Sequence, residues 1–274
     1  MRLQRVHEAV YFHPWFITAS GYASVKNLLD RAITNREKNS KEDWEELTGD
    51  MVRLRPELEI DENGYAHIHV FGVLGMHLSA IEKACGNTGY DQVTSEIAMA
   101  TKRGVAGFFF NFDSPGGMVI GCEEAANAIS KIQVPTVAYT ETMMCSAAYY
   151  MAAGCTQIVA SPSAMVGNIG TICPWVDESK LWETQGYEFQ PLVNAGADLK
   201  STMHGPSITE DQRDFLQSRV NQEGMKFRRH VSKYRNADDE VWRAGWYSGE
   251  EAQMLGLIDE IGDESDAIEL MKIL

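Results

Sequence analysis

Apolar positions along this chain change period several times, and from Leu58 onward the changes alternate between strand and helix spacing. Leu58-Glu59-Ile60 and Ala66-His67-Ile68-His69-Val70 alternate about the turn formers Asp61-Glu62-Asn63-Gly64, which predicts a hairpin whose second strand leads into Gly72-Val73-Leu74-Gly75. Val93, Ile97, Ala98 and Met99 supply the apolar side of a helix over 91–102. The continuous apolar run Val105 to Phe112 then reads as a buried strand. A crossover helix over 123–131, a strand from Val134 to Tyr139, a short Ala-rich helix opening at Ser146 and a strand Gln157 to Ala160 continue the alternation. Thr171-Ile172, a helix over 177–185 and a strand Glu188 to Val193 follow. Thr209-x-x-Gln212 and Ser248-x-x-Glu251 are capping-box patterns, opening a long helix to about Tyr234 and a shorter one closed by Gly256. Helices alternating with strands predict an α/β fold with a mostly parallel sheet flanked by helices.

Residues 1–57 read differently. Trp15-Phe16-Ile17 and the spacing of Val25, Leu28, Leu29 and Ile33 predict a short amphipathic helix, followed by the charged stretch Asn35 to Glu46. This N-terminal helical arm packs on the core or serves oligomerisation or docking, since Trp15 and Phe16 are costly to leave in water. The division expected is therefore an arm over 1–57 and an α/β domain over 58–274.

Composition narrows the function. A formal charge of −15, from 39 acidic and 24 basic residues, argues against a nucleic-acid surface and a polybasic membrane patch. No apolar run approaches the eighteen or so residues that span a bilayer, and no secretory segment follows Arg2, Arg5, His7 and Glu8. Five cysteines without a C-x-x-C pair fit reduced core residues, and the compartment expected is cytoplasmic. His67 and His69 share one face of a strand; with no third ligand near in sequence they read as exposed strand histidines, and neither metal nor cofactor is expected.

Two short stretches carry chemistry. Asn111-Phe112-Asp113-Ser114-Pro115-Gly116-Gly117 ends an apolar strand at a double-glycine turn, which leaves backbone N–H groups free. Met144-Cys145-Ser146-Ala147-Ala148-Tyr149-Tyr150-Met151-Ala152 ends a second strand at a serine that opens a helix. Separately, the first is an ordinary turn and the second an ordinary N-cap. Together, a strand, a helix and a strand apart, they give the layout of a serine hydrolase: donors for an oxyanion beside a nucleophile.

These stretches resemble the signal peptide peptidase A family of serine peptidases, which shares the crotonase-like fold with the Clp protease subunit. The resemblance rests on Phe108 to Gly117, Ser146 to Ala152, Ser161 to Ile172, and Tyr247 to Ala252 with Leu255 to Gly262, and covers residues from about Leu58 to the C-terminus. The N-terminal Trp-x-Ile segment also resembles the start of the related head proteases of tailed phages.

The resemblance implies a Ser-Lys dyad: Ser146 as nucleophile and Lys200, 54 positions on (200 − 146), as general base in the Gly-containing segment Asn194 to Ser201. Lys180 is a runner-up in a polar helix, and His204 is poorly spaced for a Ser-His-Asp triad. Backbone N–H groups of Gly117 and Ala147 would hold the oxyanion, with Gly116 supporting the turn. Asn168 stands where relatives carry a serine that positions the lysine. A lysine base requires its pKa lowered from about 10.4 toward 7 to 8, roughly 4 kcal/mol of environmental bias. Asp198 would oppose such a shift and is expected to face solvent.

The function expected is a soluble Ser-Lys endopeptidase, with scaffold or capsid proteins of a phage or prophage head as substrates and a homo-oligomeric ring as its assembly. A bacterial cytosolic peptidase of the same family, a catalytically silent assembly protein and an acyl-CoA enzyme of the crotonase superfamily are the alternatives.

Overall fold

The chain is described as a computed structural model, over residues 15–17, 58–79, 82–83, 85–175, 177–188, 192–200 and 208–274. Its organising strand is Gly107–Met118, and the reason lies in its sequence: Gly-Phe-Phe-Phe-Asn-Phe carries large apolar side chains on both faces. Phe108, Phe110 and Phe112 are buried on one face with Ile68, Val70, Val93, Ile97 and Ile129. Phe109 is buried on the other with Val137, Tyr139, Ala267, Leu270 and Met271. Burying each such aromatic side chain contributes about 1.5–3 kcal/mol, enough to make this strand the centre of the fold.

Among the described residues eleven strands join one sheet. In chain order they are β1 (Trp15–Ile17), β2 (Glu59–Ile60), β3 (Tyr65–Gly75), β4 (Thr88–Gly89), β5 (Gly107–Met118), β6 (Thr136–Thr140), β7 (Met143–Cys145), β8 (Gln157–Ala160), β9 (Met165–Gly167), β10 (Trp246–Tyr247) and β11 (Glu260–Ile261). The pairs β3–β4, β3–β5, β5–β6, β5–β7, β6–β8, β7–β9 and β8–β11 are parallel. Only β1–β5, β2–β3 and β9–β10 are antiparallel among these strands. The helices are α1 (Tyr90–Arg103), α2 (Cys122–Ser130), α3 (Ala147–Ala152), α4 (Ser179–Thr184), α5 (Glu210–Tyr234), α6 (Gly249–Met254) and α7 (Glu264–Met271). The mostly parallel α/β sheet flanked by helices is as the sequence predicts.

Local chemistry accounts for most boundaries. The hairpin pairs Glu59 with His67 and Ile60 with Ala66, as its alternation requires. α1 stops at Gly104, which takes the left-handed conformation at φ 71°. Both predicted capping boxes are present, Thr209 with Gln212 and Ser248 with Glu251.

Three expectations need correction. Trp15–Ile17 is a strand, not part of a helix, paired antiparallel with Gly116–Met118; the rest of the predicted arm lies outside the described residues. β5 does not stop at a double-glycine turn but runs through Ser114-Pro115-Gly116-Gly117 to Met118. The register explains how: Phe71 faces Asp113 and Val73 faces Gly116, so β5 carries one extra residue there, a bulge that accommodates a proline without an N–H. Finally, Glu188, Leu192 and Val193 are not strand, and the middle of that predicted element lies outside the described residues.

The two strand histidines are not simply exposed. His67 is partly buried, with Nε2 3.3 Å from Asp61 Oδ2 and its ring against Phe109. Among the described residues no group of three or more His, Cys, Asp or Glu side chains is placed to hold a metal ion.

Candidate active site

β7 delivers Ser146 to the start of α3, and the turn between them is severe. Ser146 has φ 55° and ψ −117°, a backbone conformation that glycine adopts readily and other residues rarely. It is held there from both sides: its N–H donates to Gly167 O at 2.7 Å, and its carbonyl accepts from Tyr150 N at 2.8 Å. Cys145 is locked in register with Gly167. This is a sharp, strained strand-to-helix elbow of the kind that presents a nucleophile.

The hydroxyl is not an N-cap. Ser146 makes no side-chain capping bond, is fully buried, and its Oγ has no hydrogen-bond partner among the described residues. A buried hydroxyl left unpaired costs about 1–3 kcal/mol, and a strained backbone of this kind a similar amount. Two such costs at one residue have no structural return within the fold. Ala147, the first helical residue, is also fully buried, and its N–H belongs to the first turn, where intrahelical acceptors are lacking.

The Ser-Pro-Gly-Gly stretch lies beside this elbow, because Ser114 faces Met144 across the β5–β7 pair. Ser114 is buried and ties the motif down: Oγ donates to Gly72 O at 2.6 Å and accepts from Gly116 N at 3.1 Å. Gly116 takes φ 106°, open only to glycine, and its N–H is thereby occupied, which leaves Gly117 as the motif's candidate donor. Gly117 faces Leu74 on one side and Phe16 on the other. A Cβ on Gly117 would collide with Leu74 O, so the close approach of β3 requires glycine here.

Around the elbow, other reactive groups are disarmed by burial. The Cys145 thiol, next to Ser146, is pushed up to about 12, and its Sγ donates to Met165 O at 3.5 Å. A thiol so held is inert at neutral pH. Tyr149 donates to Leu257 O at 2.7 Å, and Tyr150 stacks on His230 with ring centroids 4.0 Å apart and meets Phe227 at a tilt, with centroids 5.0 Å apart. Burial holds the His230 imidazole down at about 4, so it is neutral. Both tyrosines thus pack α3 against the rest of the core.

None of the remaining predicted site residues makes a hydrogen bond to the hydroxyl. Asn168, at φ 55°, donates from Nδ2 to Ala244 O at 2.9 Å and from its backbone N–H to Gly245 O at 2.7 Å, so its amide N–H is committed to the backbone before β10. Lys200 and Asp198 are exposed, and Lys200 Nζ makes no hydrogen bond with Ser146 Oγ. The Lys200 segment is moored to the start of α5: Gln212, besides closing the capping box, donates from Nε2 to Asp198 O at 2.8 Å and Lys200 O at 3.5 Å. Phe227, which packs on Tyr150, sits farther along the same helix by about 22 Å at about 1.5 Å per residue. Lys180, the runner-up, lies on α4 and is exposed; His204 lies outside the described residues.

Sequence reasoning missed two contributors. Ser114 reads as a turn former, and only the approach of Gly72 from β3 reveals its second role. Gln212 is visible as a capping residue, but its bonds to the Lys200 segment are not.

A family model described as Peptidase family S49 matches residues 128–274. The capsid assembly protease C of Escherichia phage lambda is 30% identical over 216 residues, covering 77% of this chain and 49% of that protein. A putative signal peptide peptidase of Enterococcus faecium is 30% identical over 179 residues, covering 62% of this chain and 51% of that one. The chain thus spans about half the length of these curated relatives. A solved structure of a membrane-bound stomatin-specific protease in complex with a substrate peptide aligns over 74% of this chain and 77% of that chain, at 14% identity and a TM-score of 0.39.

Proposed function

Because the chain belongs to peptidase family S49, we propose that it is a serine endopeptidase whose nucleophile is Ser146 and whose general base is Lys200. The observation that carries this reading is the elbow at Ser146: a buried, unpaired hydroxyl on a strained turn, beside the bulged Ser-Pro-Gly-Gly strand. In the proposed reaction Ser146 Oγ attacks a peptide carbonyl while Lys200 Nζ takes its proton. N–H groups of Gly117 and Ala147 receive the negative charge on the oxygen. Lys200 then protonates the leaving amine and activates the water that hydrolyses the acyl-enzyme.

The exposed position of Lys200, anchored at the far end of α5 from the nucleophile helix, favours a dyad built between two copies of the chain. A lysine base must be desolvated to take a proton, and a neighbouring copy that covers Lys200 would supply that desolvation. The functional unit on this reading is a homo-oligomer, consistent with a ring. Similarity to a phage capsid assembly protease favours scaffold or capsid proteins as substrates, within the host cytoplasm.

The test is cleavage of an unfolded protein substrate by Ser146→Ala, Lys200→Ala and a mixture of the two. Each variant alone should lose at least about 10³-fold in rate. The mixture should recover about a quarter of wild-type activity, since random assembly leaves that share of interfaces with both groups intact. Cleavage at wild-type rates by either single variant sinks the dyad; two inactive variants with no recovery on mixing would place it within one chain.

A further inference from the structure

The edge of β5 next to the nucleophile is already occupied by the chain itself. β5 pairs with β7 at Ser114–Met144, and two residues later the chain at Ser146 has left the sheet for α3. At that level the vacated edge is taken by β1: Ile17 faces Gly116, Phe16 faces Gly117 and Trp15 faces Met118. β1 runs antiparallel to β5, so its C-terminal residue, Ile17, is the one nearest in register to Ser114, which faces Met144 just before the elbow. Ile17 is also buried, only 3% exposed. An extended segment added antiparallel to an exposed sheet edge, with an apolar side chain buried beside a reactive group, is how a peptide is presented by strand addition.

We propose that Trp15–Ile17 is a built-in occupant of the substrate edge, held as a substrate would be. Ile17 takes the place of the residue whose carbonyl faces Ser146. This inference rests on the assignment of Ser146 as nucleophile. It has two consequences. The resting chain is self-blocked, and β1 must leave before a protein substrate can pair with Gly116–Met118. The site also favours extended segments with an apolar residue at the position of Ile17, because that position buries one. The arrangement gives the N-terminal stretch a role that its apolar residues alone did not define: they pair with the sheet at the candidate site rather than at a remote surface.

Peptide binding to the full chain tests the proposal without depending on turnover. A fluorescein-labelled peptide copying residues 12–20 is titrated into Ser146→Ala and into Ser146→Ala carrying Ile17→Gly, with binding followed by anisotropy. A tethered strand competes at an effective concentration near the millimolar range, so loosening it should tighten peptide binding by at least about tenfold. Ile17→Asp in place of Ile17→Gly should act the same way, and circular dichroism identifies either variant if it fails to fold. Equal affinity with and without the Ile17 change, or binding by neither protein, overturns the proposal.

Proteolysis distinguishes this inference from the reading beneath it. With Ser146 intact, Ile17→Gly should cleave an unfolded protein several-fold faster than wild type. Tighter peptide binding with no cleavage by any form would count against the peptidase reading while leaving strand occupancy standing. Equal cleavage and equal peptide binding would do the reverse.

Discussion

Ser146 combines a backbone conformation suited to glycine with a buried hydroxyl that bonds to nothing among the described residues. If those features serve catalysis, removing them should relieve the fold. Ser146→Gly is expected to abolish cleavage and yet raise stability by about 1–2 kcal/mol, because glycine accepts φ 55° freely and carries no hydroxyl to leave unpaired. Urea unfolding of the variant against wild type measures this. A loss of stability would mean that the turn is not strained in the way the geometry indicates. At this scale the sequence was informative about identity but not about state. Ser146 and Gly116-Gly117 stand out by residue type and spacing. The reason Gly117 must be glycine is the carbonyl of Leu74, more than forty positions away, which no local pattern reveals.

Elements were legible where local chemistry decides them. The capping boxes of α5 and α6 and the hairpin of β2 and β3 could be located from a few residues each. Where long-range pairing decides, local reasoning failed: turn formers continue β5 because β3 and β1 flank them, and Trp15–Ile17 is a strand because Gly116–Met118 offers it a partner. Helix α3 shows the same dependence on distant residues. Arg235, whose side chain is 7% exposed, ends α5 and closes on α3 and its sequel: Nε donates to Ala153 O at 3.1 Å, Nη2 to Cys155 O at 2.6 Å, and Nη1 to Asp259 Oδ2 at 2.6 Å. Asp259 in turn accepts from Ile158 N at 2.7 Å. Arg235→Ala should therefore cost about 1–3 kcal/mol in urea unfolding, since it leaves the carbonyls of buried Ala153 and Cys155 without their donor. A change under about 1 kcal/mol would show that solvent replaces the guanidinium without penalty.

Helix packing also makes an acid-sensitive joint. His230 on α5 stacks on Tyr150 of α3, Tyr234 meets it edge-on, and Lys233 is the nearby charge; burial holds its folded pKa at about 4, below the usual 6.5. The unfolded chain therefore binds a proton at pH values where the folded one does not. Stability from this group is complete above about pH 6.5 and declines as pH falls toward 4. His230→Phe should flatten that part of a melting-temperature profile, by an amount worth about 1–2 kcal/mol given the ring's partial contact with water. An unchanged profile would show that other groups govern acid sensitivity in this range.

For the whole molecule, the alternation of strand and helix was enough to predict a mostly parallel sheet, since each crossover helix forces the next strand to run the same way. The placement of Lys200 was not predictable on the same basis. Its segment has little regular structure, and its position follows from Gln212 at the start of a 25-residue helix. On the proposed reading that helix acts as a spacer between the Lys200 segment, held by Gln212 at its start, and Phe227, which packs on Tyr150. An enzyme built this way would be idle when its molecules are sparse and become active where they crowd together. Activity per molecule should fall on dilution, and a tenfold dilution series followed by substrate cleavage would display that loss; a constant specific rate down to nanomolar chain would mean that one molecule suffices.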